Sequence, residues 1–313
     1  MIIHFNPFVF PGVKNPVITV GTFDGVHLGH QKIIERLKSK AAELGGETVV
    51  VTFDQHPRMV LAPDDDSVKL INTNERKYER LRSAGIQHLV ILPFTKEFSQ
   101  LPWQTFIKEI IVDRLGAAWL VIGYDHRFGH DREGSKADMT EMGRQYQFGV
   151  EEVDEFIMDG LPVSSTRIRQ ALAIGNVTEA NRLLGYEYSI TGKVVHGNRI
   201  GHQLGFPTAN LEIEDKYKLI AANGVYTSRV EYHGRSFLGM SNIGVRPTIN
   251  DSKFAVEVNI FDFDNEIYGE SLTVSFVERV RNELRFDSLQ QLSDQLKRDK
   301  VNIRNLLVSN NDK

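Results

Sequence analysis

GTFDGVHLGH, residues 21–30, lies between an apolar run, Pro16–Gly21 (PVITVG), and a stretch of helical periodicity from about Leu28 to Glu43. That order predicts a strand, a tight turn permitted by Gly21 and Gly25, and the start of a helix. A helix start presents unpaired backbone N–H groups and the positive end of the helix dipole, both suited to phosphate. His27 and His30 are three positions apart, so on a helix they share a face. Gly29 between them leaves out a side chain where a nucleotide would approach. Two imidazoles so placed can supply donors where charge builds on a phosphate during adenylyl transfer, a reaction that needs positioning and charge stabilisation rather than a protein nucleophile. Two other readings fit the same pair: polar surface, or a shared metal for which only Asp24 offers a further ligand nearby.

The flanking sequence repeats the pattern. Glu47–Phe53 (ETVVVTF), Gln87–Pro93 (QHLVILP) and Ala118–Gly123 (AWLVIG) are further apolar runs, with Phe106–Leu115 a helical segment before the last. Such βα alternation predicts a parallel sheet covered on both faces, with ligands at the carboxyl ends of its strands. Thr166–Leu172 and Val177–Leu184 read as two short helices separated by Gly175 and stopped by Gly185. Beyond them, β-branched and aromatic runs alternate with turns, as in Val225–Tyr232 and Phe237–Gly239 around His233-Gly234, or Phe254–Phe261 and Ser271–Val277 around Asp262–Glu266. That rhythm predicts an antiparallel meander, sandwich or barrel. A closing helix follows Asp287, with Leu289, Leu292 and Leu296 on one face and Ser288 and Gln291 spaced as a capping box. Two domains are expected, 1–186 and 187–313.

The chain has 313 residues, a length that suits two domains, and its net charge of −4 argues against a nucleic-acid or anionic-membrane partner, which would need a basic face. It contains no cysteine, which excludes disulfides, thiolate zinc sites and cysteine nucleophiles. The opening MIIHFNPFVFPG lacks a basic start and is broken by Pro7 and Pro11, so it does not read as a signal peptide. No apolar run approaches the roughly 20 residues of a membrane span. A cytoplasmic protein is expected.

GTFDGVHLGH resembles the signature of the His-x-Gly-His nucleotidylyltransferases, in the form with Phe-Asp-Gly-Val-His found in bacterial FAD synthetases. Three more segments resemble that family. Val51–Pro57 (VTFDQHP) is similar to its motif near the reacting phosphates, which makes His56 a flavin-side candidate. Gly123–Gly129 (GYDHRFG) is similar to its nucleotide-contacting loop, with Asp125 the polar candidate. Val163–Arg169 (VSSTRIR) is similar to its motif at a helix start. Ser165 and Thr166 there are also natural caps whose hydroxyls and N–H groups can hold phosphate, and Arg167 or Arg169 could neutralise departing pyrophosphate. The resemblance implies nucleotide contacts at Gly21, Phe23, Gly29, Asp125, Ser165 and Thr166, with His27, His30 and Arg167 acting in catalysis.

A second resemblance begins at Gly192–Leu211 (GKVVHGNRIGHQLGFPTANL). Its glycines, Gly192 and Gly205 among them, let the backbone wrap close to a ligand. Pro207 stiffens the turn, and Thr208 and Asn210 present two neutral oxygens on one side of an extended segment. Hard oxygens of this kind suit Mg2+ shared with ATP phosphates. Pro-Thr-Ala-Asn resembles the nucleotide–magnesium motif of riboflavin kinases, which implies metal and phosphate contacts for Thr208 and Asn210. Glu257, in the otherwise apolar FAVEVNIF (254–261), is either a solvent-facing alternate position or a placed base. Its match to the kinases' Val-Glu segment implies the base. VERVRNELRF (277–286) is similar to their flavin-side segment, with Arg279 and Arg281 as candidates beside a reading of solvated surface charge. In one place the chain departs from the pattern: Gly201-His202-Gln203 stands where an arginine often follows the glycine, so less charge faces the phosphates.

Taken together, the segments make the chain similar to bacterial bifunctional riboflavin kinase/FMN adenylyltransferases. The resemblance implies a Rossmann-like parallel sheet followed by an antiparallel β-barrel with a closing helix. It also implies riboflavin, FMN and ATP as partners, Mg2+ as cofactor, and two reactions giving FMN and then FAD. A single-activity enzyme or a non-enzymatic flavin-binding protein on the same scaffold are the other readings.

Overall fold

A computed structural model describes residues 1–6, 9–63, 68–124, 135–197, 200–247 and 252–311. The chain divides into two units, Met1–Ser165 and Thr166–Lys313.

The apolar runs of the first unit become β2 (Val17–Val20), β3 (Thr48–Phe53), β4 (His88–Leu92) and β5 (Trp119–Gly123), joined by two strands that the sequence pattern does not show. One is β1 (Ile2–His4), cut short before Pro7; the other is β6 (Gly149–Val153), whose two glutamates break the apolar pattern. All neighbouring pairs run parallel, in the order β1-β4-β3-β2-β5-β6. The chain therefore reverses its direction of travel between β2 and β5, and at such a point the carboxyl ends of the strands leave a crevice.

Helix α1 (Leu28–Leu44) buries Ile34, Leu37 and Ala41 against the sheet, each large side chain contributing about 1.5–3 kcal/mol. It stops at Gly45, which takes the left-handed conformation that glycine adopts without strain. Helices α2 (Pro57–Leu61) and α3 (Asn74–Ser83) connect β3 to β4; α4 (Lys96–Ser99) and α5 (Trp103–Thr105) precede a π-helical segment, Phe106–Arg114, that leads to β5. Helix α6 (Lys136–Tyr146) begins at a capping box of Ser135 and Asp138 and leads to β6. A small hairpin, β7 (Ile157–Met158) and β8 (Leu161–Pro162), ends the unit.

The units divide at Ser165, earlier than the change of rhythm near residue 186, because α7 (Ser165–Ala173) and α8 (Val177–Leu184) are bonded to the second unit. Asn181 donates to Phe276 O and accepts from Tyr188 N, and Leu172 O accepts from Ala222 N. The second unit is a closed antiparallel barrel of β9 (Ser189–Val195), β10 (Ala209–Glu212), β11 (Gly224–Tyr232), β12 (Arg235–Pro247), β13 (Ser252–Ile260) and β14 (Ser271–Arg281). Its order is β10-β13-β12-β11-β14-β9, closed by β9 on β10. The His233-Gly234 turn has positive φ at both residues (47° and 74°), the geometry a two-residue hairpin requires. A short α9 (Ile200–Gln203) precedes β10, and α10 (Leu289–Asn311) follows the barrel. Its Leu296 and Ile303 pack with Val225 and Met240, whereas Leu289 is 55% exposed and lies off the expected apolar face. Ser288 Oγ accepts from Gln291 N, and Gln291 reaches back to Asp287 N, one residue before the expected box partner.

Candidate active sites

The first site forms where β2 ends. Phe23 and Val26 both hold positive φ (49° and 38°), so two residues with full side chains are kept in a region that disfavours them. Both are nearly fully buried, and this packing holds the turn in its unfavourable conformation. Asp24, also buried, accepts from the backbone N–H groups of Ile71 and Asn72, so its carboxylate pins the turn to the segment before α3. Ser165 Oγ donates to Asp24 O at 2.9 Å, tying the end of the unit to the same turn.

His27 is the N-cap of α1 and His30 lies in its first turn. Their rings stack at 3.7 Å between centroids, and Phe23 packs on His30 at 5.0 Å. The structure thus makes the pair a stacked unit at the helix start. It also gives the glycines a further task. A Cβ at Gly29 would press on the His27 ring and Val163 O, and one at Gly21 would press on the Phe23 ring. Both glycines make room for the aromatic stack itself.

Beside this turn, a pocket opens at the carboxyl ends of β2 and β3, lined among others by Thr22, Asp24, Phe53, His56, Asn72 and Lys77. His56 caps α2, its ring Nδ1 accepting from Arg58 N. Lys77 has no counterpart in the sequence reading: an isolated lysine in a charged helix (NERKYERLRS) gives no signal, and only the fold shows it to be buried. Arg167 donates to Glu179 on α8 at 2.7 Å, and Thr166 is exposed. Asp125 lies outside the described residues.

The second site is written in β-sheet register. Asn210 on β10 stands directly opposite Glu257 on β13, and Glu257 stands opposite Asn242 on β12. Directly paired residues project from one face, so a carboxylate is flanked by an amide on either side. Val256, Val258 and Ile243 occupy the other face and are buried. Asn242 escaped the sequence reading because β12 runs on to Pro247, far past the Phe237–Gly239 run that announced it. Thr208 precedes Asn210 by two residues and is half-buried, and Asn210 is buried. Asn259 donates to Pro207 O at 2.7 Å, fixing the turn that presents them.

A Cβ at Gly197 would overlap the Asn210 amide, so the loop after β9 lies directly against it. Gly192 is tight against Glu212 O, and Gly205 has φ 77°. The hydroxyl of Thr208 and the amide oxygen of Asn210 are hard oxygens, which fit a divalent cation, and the Glu257 carboxylate stands beside them opposite Asn210. Arg279 donates to the carbonyls of Ile174 and Asn223, and Arg281 pairs with buried Asp299 at 2.8 Å.

The FAD synthetase family model matches residues 12–167, and the riboflavin kinase family model matches residues 184–307. A bifunctional riboflavin kinase/FMN adenylyltransferase of Listeria monocytogenes is 38% identical over 93% of this chain and 92% of its own. The chain belongs to the bifunctional riboflavin kinase/FMN adenylyltransferase family. It is an enzyme with both domains, a kinase and a nucleotidyltransferase of flavins. The Escherichia coli K12 member is 35% identical over 92% of this chain and 91% of its own. Among solved structures, one named a macrolide-efflux protein from Streptococcus pneumoniae superposes with a TM-score of 0.89 at 34% identity, covering 97% of this chain and 98% of that one. Among the described residues of this family member, no helix is long and apolar enough to cross a membrane.

Proposed function

We propose that the two activities are divided along the chain: residues 187–313 phosphorylate riboflavin to FMN, and residues 1–186 join AMP to FMN to give FAD. The cross-strand row Asn210–Glu257–Asn242 carries this reading, because it sets a carboxylate among amides beside the hydroxyl of Thr208. In the kinase reaction, Glu257 accepts the proton of the ribityl hydroxyl as that oxygen attacks the γ-phosphorus of ATP and ADP leaves. Thr208 and Asn210 hold Mg2+ and the phosphates, with Gly192 and Gly205 shaping the backbone around them. When bound, Mg2+ neutralises the charge concentrated on the transferred phosphate. Arg279 and Arg281 order the flavin side by fixing the chain near Ile174, Asn223 and Asp299.

In the adenylyl transfer, a phosphate oxygen of FMN attacks the α-phosphorus of a second ATP, and pyrophosphate departs. The stacked His27 and His30, with the N–H groups at the start of α1, receive the charge that builds on the phosphate oxygens. Ser165 and Thr166 hold phosphate at a second helix start, Arg167 meets the pyrophosphate, and His56 lines the flavin side. Asp125 contacts the nucleotide. ATP is spent twice, which supports a cytoplasmic place of work, and the acidic net charge of −4 supports small-molecule partners over nucleic acid or an anionic membrane.

The test is to incubate pure protein with riboflavin, ATP and Mg2+ and to follow FMN and FAD by chromatography. Both products are expected, FMN first. No FMN would remove the kinase assignment, and FMN without FAD would remove the adenylyl-transfer assignment.

A further inference from the structure

Lys77 of α3 is 7% exposed and lines the pocket at the carboxyl ends of β2 and β3. Its ammonium makes two long hydrogen bonds, 3.5 Å to Thr52 Oγ1 and 3.4 Å to Phe53 O, although it has three donors to satisfy. Asp24 and Asp54 act on it electrostatically, and both carboxylates also accept from backbone groups. Asp24 accepts from Ile71 and Asn72, and Asp54 accepts from Gln55 and Phe94. A buried cation whose hydrogen bonds among the described residues are long is costly in a folded chain, and an anionic oxygen entering the pocket would add the short bond it lacks there.

Adenylyl transfer supplies such an oxygen and requires help of this kind. It brings together two anions, the acceptor phosphate and ATP, which repel each other until each is held. The start of α1 with His27 and His30 serves one of them. Lys77 stands at the next strand end, in a pocket that shares Thr22 and Asp24 with the His27 turn and carries the Phe53 and His56 rings on its wall. We infer that Lys77 binds the phosphomonoester of FMN and sets it in place for attack on ATP. The inference rests on the assignment of adenylyl transfer to this half of the chain.

The charge of Lys77 carries a pH signature. Burial lowers its pKa to about 8, against the pull of Asp24 and Asp54. Among the described residues, the titratable groups facing it are Asp24 after β2, Asp54 and His56 after β3, and Tyr78 on α3, which burial raises to about 12. The free enzyme's kcat/KM for FMN should therefore fall as pH rises through about 8, where the ammonium loses its proton.

The experiment compares full-length wild type, Lys77→Met and Lys77→Arg in FAD formation from supplied FMN and ATP, with thermal melting curves as the control that the first unit is folded. Lys77→Met should raise KM for FMN about 10–100-fold, the loss expected for a charged hydrogen bond, and leave KM for ATP within about twofold. Lys77→Arg, whose guanidinium stays charged, should lose the fall in kcat/KM above pH 8. An unchanged KM for FMN in Lys77→Met, or a rise in KM for ATP instead, overturns the inference. Should Lys77→Met fail to fold its first unit, the arginine variant decides: a wild-type pH profile there overturns the inference equally. Wild type that makes FMN but no FAD removes the underlying assignment and the inference with it, whereas wild type and Lys77→Met making FAD alike removes the inference alone.

Discussion

The two sites of this enzyme are held by different physics. The His27–His30 site hangs on a turn after a strand, kept in an unfavourable backbone conformation at Phe23 and Val26 by burial and by the bonds of Asp24 and Ser165. The Glu257 site has no such turn at its centre: its residues sit within a ladder, and register alone brings Asn210, Glu257 and Asn242 side by side. A turn of the first kind can aim backbone N–H groups at a phosphate, because loop and helix start leave them unpaired. A ladder has spent its backbone groups on its neighbours, so it must work through side chains. The difference matches the chemistry proposed for each: charge stabilisation with no proton to move in the first, and a hydroxyl proton to accept in the second.

Substitutions can sharpen or break that contrast. The largest effect is expected for Glu257→Gln, which should lower riboflavin phosphorylation by about 10²–10⁴-fold, the range for a lost general base, without slowing FAD formation from supplied FMN. Chromatography of both products checks it. His30→Ala should lower FAD formation by about 10²–10³-fold and leave FMN formation intact, read in the same assay. Gly197→Ala should push the Asn210 amide aside and cost riboflavin phosphorylation roughly tenfold, about 1.4 kcal/mol; an unaltered kinase rate would mean that Asn210 does not need its place. Ser165→Ala, removing one hydrogen bond to Asp24 O, should destabilise the His27 turn by about 1 kcal/mol, visible as a small drop in the melting temperature with kinase activity unaffected.

Much of this architecture was legible in the sequence where a local pattern and a local structure coincide. The apolar runs that became β2 to β5 are buried almost throughout, so their composition carries the signal. The turn at Gly21–His30 and the Pro207–Asn210 segment are contiguous, and contiguous motifs can be read. What stayed hidden depends on distant parts of the chain. β1 is three residues long and exists by pairing with β4, and β6 carries two glutamates in a strand. Lys77 is buried by a pocket assembled from three separate segments, and Asn242 meets Glu257 only through strand pairing. The division at Ser165 is hidden for the same reason: α7 and α8 are short helices in the sequence, and only their bonds to Phe276, Tyr188 and Ala222 tie them to the residues that follow.

The central claim, two separate chemistries on one chain, is tested most directly by complementation. Glu257→Gln and His30→Ala are each incubated with riboflavin, ATP and Mg2+, alone and mixed, and FMN and FAD are followed over time. Glu257→Gln alone should stall at riboflavin, His30→Ala alone should stall at FMN, and the mixture should make FAD as FMN released by one variant is taken up by the other. Loss of both products in His30→Ala, or failure of Glu257→Gln to convert supplied FMN to FAD, would contradict the division.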